Sequence, residues 1–318
     1  MTFETNFFYQ TNDRQLMMDR SAMHVIQSAP YRTQHSVFPL SAGQSAPASG
    51  KHFAENKDTG LLEPLPLHTI DDVIAALATI IWDSEQRHDP LGYFAVLYQK
   101  VTIKVKEGIA NNFFDDGPRM EQLDIVFAER YLAAYFAYQQ GQPLSYCWKK
   151  AFDLGSVDEP IVLQHLLLGI NAHINLDLGI AAAEVCAGED IRGLKNDFIK
   201  INEILASLVD EVMCGLSGIW PFYGLILERA GKFDNLLVDL VMRAARISAW
   251  KFAKKLAKKP AREKTKLIAR RDRQTARKAK FIGRPGTITS MMLRRIRQEE
   301  RGSVSEKLFE LSVPAVAS

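Results

Sequence analysis

The run from Ile161 to Ala183 constrains this chain more than any other part of it. It is built almost wholly of Ile, Leu, Val, Ala and Gly, yet carries His165, Asn171, His173, Asn175 and Asp177. A helix of this length matches the thickness of a bilayer, but that many polar groups would be costly in lipid. No transmembrane segment is therefore expected. The alternative is a helix buried at the centre of a protein fold. Its polar side chains then need partners, a metal ion or a lined cavity, because an unsatisfied buried polar group is expensive.

At about 100° per residue, His173, Asp177 and Glu184 fall on one narrow stripe of this helix, with His165 towards its edge. Gln164, Asn171 and Asn175 form a second polar stripe. His173 and Asp177 are four residues apart, so their side chains are neighbours. Two readings follow. An imidazole nitrogen and a carboxylate oxygen can share one divalent ion, zinc, iron or manganese, with His165 as a further metal ligand. Alternatively the pair forms a hydrogen bond that stiffens a core helix. Gly169 reads as a site of close helix packing.

Hydrophobic periodicity elsewhere is helical throughout. Thr69 can cap a helix with Asp71 and Asp72 in its first turn, followed by the stripe Val73, Ile74, Leu77, Ile80 and Ile81. Further helices are expected over about 91–112, 119–140, 144–152, 160–187, 194–214 and 233–259, with a break at 215–221 and a short helix after it. The fold class is therefore all-α: a single multi-helix bundle over residues 65–259. Residues 1–64, rich in Ser, Gln and Thr, are expected to be mostly disordered. Residues 260–318 are expected to be a basic tail, extended or loosely helical, outside the core. Within it Met291, Leu293 and Ile296 can form one short amphipathic turn.

Two other helices carry candidate functional residues. On the third, Asp124, Ala128, Tyr131 and Tyr135 share a side. If that side faces the central helix, Asp124 supplies a carboxylate and Tyr131 and Tyr135 supply hydroxyls, with Arg130 on a different face; otherwise Glu121, Glu129 and Arg130 are solvated and the tyrosines are ordinary core aromatics. On the helix from Phe233, the residues Asp239, Arg243, Arg246 and Trp250 form a stripe that either holds an anionic substrate through arginine or is a solvent face. The catalytic candidates are thus Asp124, Tyr131 and Arg243.

Charge is divided unequally. The chain's net charge of +3 hides a charge of +15 over residues 251–301 and −11 over residues 1–250. The basic stretch suits nucleic acid, anionic lipid or an acidic protein surface, or it folds back on its own acidic body. Met1–Gln10 lacks a basic region before an apolar one, so no signal peptide is expected. Three cysteines, 147, 186 and 214, have neither disulfide-framework nor zinc-ribbon spacing. A cytoplasmic location is the resulting expectation. Phosphate-binding glycine loops and Gly-x-Ser-x-Gly elbows are absent from the sequence.

The segments 113–124 and 165–177, with Asn171-Ala-His-Ile-Asn-Leu-Asp-Leu178, resemble an uncharacterised family of bacterial helical proteins. The resemblance covers about residues 65–250 and implies no activity. It implies that Asn171, His173, Asn175 and Asp177 form one unit. A more distant likeness is to helical zinc-dependent phospholipases C and single-strand nucleases, which use His-x-x-x-Asp on buried helices. Those enzymes need more histidines than this chain offers between 65 and 259, where only His68, His88, His165 and His173 occur. The expectation is a metal-dependent enzyme, a hydrolase, centred on the buried helix 161–187. The competing reading is a non-catalytic helical scaffold whose basic tail contacts an acidic partner.

Overall fold

The computed structural model describes residues 53–55, 62–64, 66–156, 160–220 and 233–313. Most of the expected disordered segment 1–64, and the short helix expected after 221, lie outside these residues. Within the first, Phe53–Glu55 (β1) pairs antiparallel with Leu62–Pro64 (β2), the one departure from an all-α fold among the described residues.

The helices are α1 Ile70–Arg87, α2 Gly92–Ala110, α3 Gly117–Gln139, α4 Tyr146–Gly155, α5 Val162–Ala172, α6 Leu178–Val185, α7 Lys195–Ile219, α8 Phe233–Ala257, α9 Ala261–Gly283, α10 Thr287–Glu299 and α11 Val304–Ser312. Local chemistry accounts for the first of them. Thr69 and Asp72 form a reciprocal capping box at the start of α1, and Asp116 caps α3 ahead of Pro118. The strand-like alternation Val101, Ile103, Val105 is helical, because its neighbours bury the α2 face that carries Phe94, Tyr98, Thr102 and Val105.

The run Val162–Val185 is long and apolar enough to cross a membrane, and the fold buries most of it. It is not one uniform α-helix. His173–Asp177 is a π-helical turn between α5 and α6. The two halves serve different neighbours: α5 packs on α2, α4 and α9, whereas α6 packs on α3 and α8. Leu166, Leu168, Ala172 and Leu176 accordingly join one apolar cluster, and Ile174, Leu178, Ala181 and Ala182 another. Gly169 and Gly179 permit the closest approaches. A Cβ on Gly169 would overlap the Phe94 ring, and one on Gly179 would lie 2.7 Å from Phe252 and 3.0 Å from the Ala249 carbonyl.

Two expectations need correction. The break expected at 215–221 begins too early, because α7 continues to Ile219. Gly215 lies inside that helix, where a side chain would meet the Glu310 backbone of α11. The larger correction concerns the expected tail 260–318: its described part, residues 260–313, is not apart from the core. Ala279 of α9 and Leu308 and Leu311 of α11 belong to the main apolar cluster. Asp272 is buried and accepts from the amides of Tyr146 and Cys147 at 2.8 and 2.7 Å, capping α4. Glu300 accepts from the Val162 amide at 2.7 Å at the head of α5 and pairs with Lys307 at 3.0 Å. The segment looked detached because α9 has few large apolar residues; Leu267, Ile268 and Ile282 pack on the core beside Ala279, and hydrogen bonds supply the rest of the attachment.

Candidate functional site

The polar stripes of the central helix have separate fates. The second stripe is read by α9. Gln164 donates to the Ile282 carbonyl at 2.7 Å and Asn171 to the Thr275 carbonyl at 3.1 Å. Asn175 receives Lys278 on its side-chain oxygen at 3.1 Å and Arg271 on its carbonyl at 2.6 Å. These residues are packing specifiers whose partners come from the basic segment.

The first stripe forms a closed centre at the π-turn. Asp177 accepts from the Trp148 indole N–H at 2.7 Å and, on its other oxygen, from Arg130 Nε at 3.1 Å. His173 Nδ1 lies 3.2 Å from the same oxygen that Trp148 uses. Because the carboxylate only accepts, Nδ1 carries the proton and Nε2 is left with the lone pair. Nε2 is buried and has no partner. Desolvation pushes the His173 pKa down despite Asp177, so the ring stays neutral at ordinary pH. Phe127 stacks on it at 3.5 Å between centroids; Tyr98 approaches edge-on at 4.6 Å, Phe94 at 5.8 Å and Tyr131 at 6.1 Å.

The facing helices carry further buried polar atoms without partners. Tyr98 and Thr102, one turn apart on α2, and Asp124 and Tyr131, two turns apart on α3, each have a buried oxygen with no hydrogen bond. Burial, reinforced by Glu121, pushes the Asp124 pKa up to about 7. Burial also raises the Tyr98 hydroxyl well above its ordinary value, and the nearby Asp124 and Asp177 add to the effect. His173 is thus a neutral imidazole with a free Nε2, and Asp124 on α3 is a carboxyl titrating near neutrality; burial pushes the one pKa down and the other up. Arg130 links this centre to solvent: its guanidinium also approaches exposed Glu184, at 3.9 Å.

Of the residues singled out from sequence, Tyr131, His173 and Asp177 lie together, and Asp124 is near Tyr98, whose ring approaches His173. Asp177 uses both oxygens to hold other side chains. That is the arrangement of a carboxylate that orients the imidazole. His165 and Arg243 lie elsewhere. His165 is buried edge-on to Tyr93, at 5.3 Å, beside a cavity of about 20 Å³ that also touches Phe94 and Trp148. Burial, helped by Arg297 and Lys307, lowers its pKa to about 3. Arg243 is exposed on α8. Its neighbour Arg246 is buried instead, donating to the Phe198 carbonyl with its guanidinium 4.7 Å over the Phe198 ring. The side chain of Asp239 is outside the described residues. Among the described residues no three His, Cys, Asp or Glu converge as a metal-binding group.

Sequence reasoning missed Trp148, Tyr98 and Thr102. Trp148 sits on a short amphipathic helix and reads as ordinary core. Tyr98 and Thr102 lie on a helix from which no polar residue was singled out. Arg130 was assigned to another face, yet its Nε reaches Asp177 at 3.1 Å.

Neither the curated proteins nor the solved structures contain a significant match to this chain. Residues 70–285 match a family described as a family of unknown function, DUF5995, and on that span the chain belongs to this family.

Proposed function

We propose that this protein is a hydrolytic enzyme whose working centre is the His173 imidazole, with Asp177 orienting it and Asp124 as its acid partner. The observation that carries the reading is the buried Nε2 of His173, unpartnered while Nδ1 is fixed by a carboxylate. Nε2 takes the proton from a water that attacks the substrate, and protonated Asp124 gives its proton to the leaving group. Tyr98 and Tyr131 offer hydroxyl donors to the oxygen that gains charge. The π-turn supports the reading, since such insertions recur at functional sites. The wall of Phe94, Phe127 and Trp148 requires either a small substrate or an opening of that wall.

A specific observation also favours a metal reading at the same atoms. A histidine whose second nitrogen donates to a carboxylate is the usual form of a metal-ligating imidazole. Nε2 and Asp124 would then hold one divalent ion, zinc, iron or manganese, with tyrosine oxygens or water completing it. The two readings separate in one experiment. Turnover of a panel of p-nitrophenyl esters and phosphates is measured on the purified protein, with and without chelator, alongside elemental analysis. His173→Gln and Asp124→Asn are expected to abolish turnover while helical circular dichroism stays intact. Loss on chelation together with bound metal selects the ion; indifference to chelator selects the acid–base pair. Turnover that survives both substitutions, or that is absent from the intact protein across the panel, refutes catalysis at this centre and leaves the scaffold reading.

A further inference from the structure

The corner where α9 ends and α10 begins is unlike the rest of the surface. Phe281, Ile288, Met291 and Met292 are 74%, 78%, 61% and 63% exposed, whereas most large apolar side chains of the helices are buried. Ile288, Met291 and Met292 stand at i, i+3 and i+4, so they form one face of α10, and α10 has no fully buried residue to explain its amphipathic sequence. The same corner is strongly cationic. Between residues 277 and 297 the chain carries seven Lys or Arg and no Asp or Glu. Lys280, Arg284, Arg294 and Arg295 are exposed there.

We infer that this corner docks on the surface of an anionic lipid bilayer, with the face of α10 and the Phe281 ring seated among the headgroups. Cationic side chains alone would suit any polyanion, but a phosphodiester backbone gives exposed Ile and Met side chains nothing to bury against. An anionic leaflet satisfies both: the arginines meet the headgroup charge, and the apolar face enters the acyl boundary. Methionine and phenylalanine suit such a boundary because they bury area without a polar atom that needs a partner. Docking here uses the surface as it stands and leaves the buried polar centre closed.

The test is flotation of the full-length protein with phosphatidylcholine vesicles, alone or with phosphatidylglycerol added, at low and high salt. Binding is expected only with the anionic lipid and is weakened by salt. The triple substitution Ile288→Ser, Met291→Ser, Met292→Ser should weaken it about tenfold or more. Arg284→Gln with Arg294→Gln should weaken it about twentyfold, since each cation near such a surface contributes about a fivefold factor. Both variants change exposed residues, and circular dichroism should match wild type. The inference is overturned by equal binding to neutral vesicles or by no binding at low salt. It is also overturned if the serine variant keeps full vesicle affinity, if duplex DNA binds as tightly with no loss in that variant, or if that variant turns a dimer into a monomer without changing flotation.

Discussion

Removing the Asp177 carboxylate should be among the costliest single changes in this protein. In Asp177→Ala three donors lose their acceptor: the Trp148 indole, the His173 imidazole and the Arg130 guanidinium. Trp148 and His173 are each only 2% exposed, so neither can turn to water, and each orphaned donor costs ~1–3 kcal/mol. The Arg130 side chain is 28% exposed and rehydrates, so its share is small. Relief from holding a charge in the interior offsets part of the loss, which leaves about 3 kcal/mol. Urea unfolding at neutral pH measures this, with an unchanged dependence on denaturant showing that the unfolded state is the same. Glu184→Ala is the internal control. Its carboxylate is half exposed and 3.9 Å from Arg130, so it should cost less than about 0.5 kcal/mol. A loss under about 1 kcal/mol for Asp177→Ala, or equal losses for the two variants, would refute the claim that Asp177 organises the centre.

Further outcomes follow from the same geometry. The folded-state pKa of Asp124 is raised from 3.8 to about 7, so its contribution to stability is fully present below 3.8 and is lost as pH rises through about 7. That is a swing on the order of 4 kcal/mol. His165, lowered from 6.5 to about 3, acts in the opposite sense, its contribution being lost as pH falls from 6.5 through 3. The difference between wild type and Asp124→Asn therefore isolates the carboxyl. Wild type should lose stability relative to the variant between these two pKa values, and a difference that stays flat with pH contradicts the burial of an unpartnered acid. Gly169→Ala should cost about 1–3 kcal/mol by driving the Phe94 ring off α5, read as a lowered thermal midpoint. A chain ending at residue 259 should lose cooperative unfolding, since it lacks the Asp272 and Glu300 caps and the buried Ala279, Leu308 and Leu311. In limited trypsin digestion the many basic sites of α9 should resist cleavage, and rapid removal of everything beyond Lys259 would show that this segment is not packed as described.

Local chemistry was enough to read much of this protein from its residues. The helical period and the Thr69 cap depend on interactions within a few residues, so they are legible in the sequence, and with them the all-α class. The spacing of His173 and Asp177 and the placement of Asp124 and Tyr131 on one side of their helix are equally local, and His173, Asp177 and Tyr131 do come together. Their chemistry depended on residues far away. Whether Asp177 binds an ion or orients an imidazole turns on Trp148 and Arg130, which occupy its oxygens from two other helices. The π-turn is invisible in the sequence because no proline or glycine marks it; it is held by the different neighbours of α5 and α6. The basic segment was misjudged for the same reason. Charge and a shortage of large apolar residues suggest a solvated tail when read along the chain, but α9 packs Leu267, Ile268, Ala279 and Ile282 on the core and forms hydrogen bonds with Gln164, Asn171 and Asn175. Periodicity determines which face of a helix is turned inward; only the tertiary fold decides what that face meets, because burial and pairing are properties of the assembled neighbours.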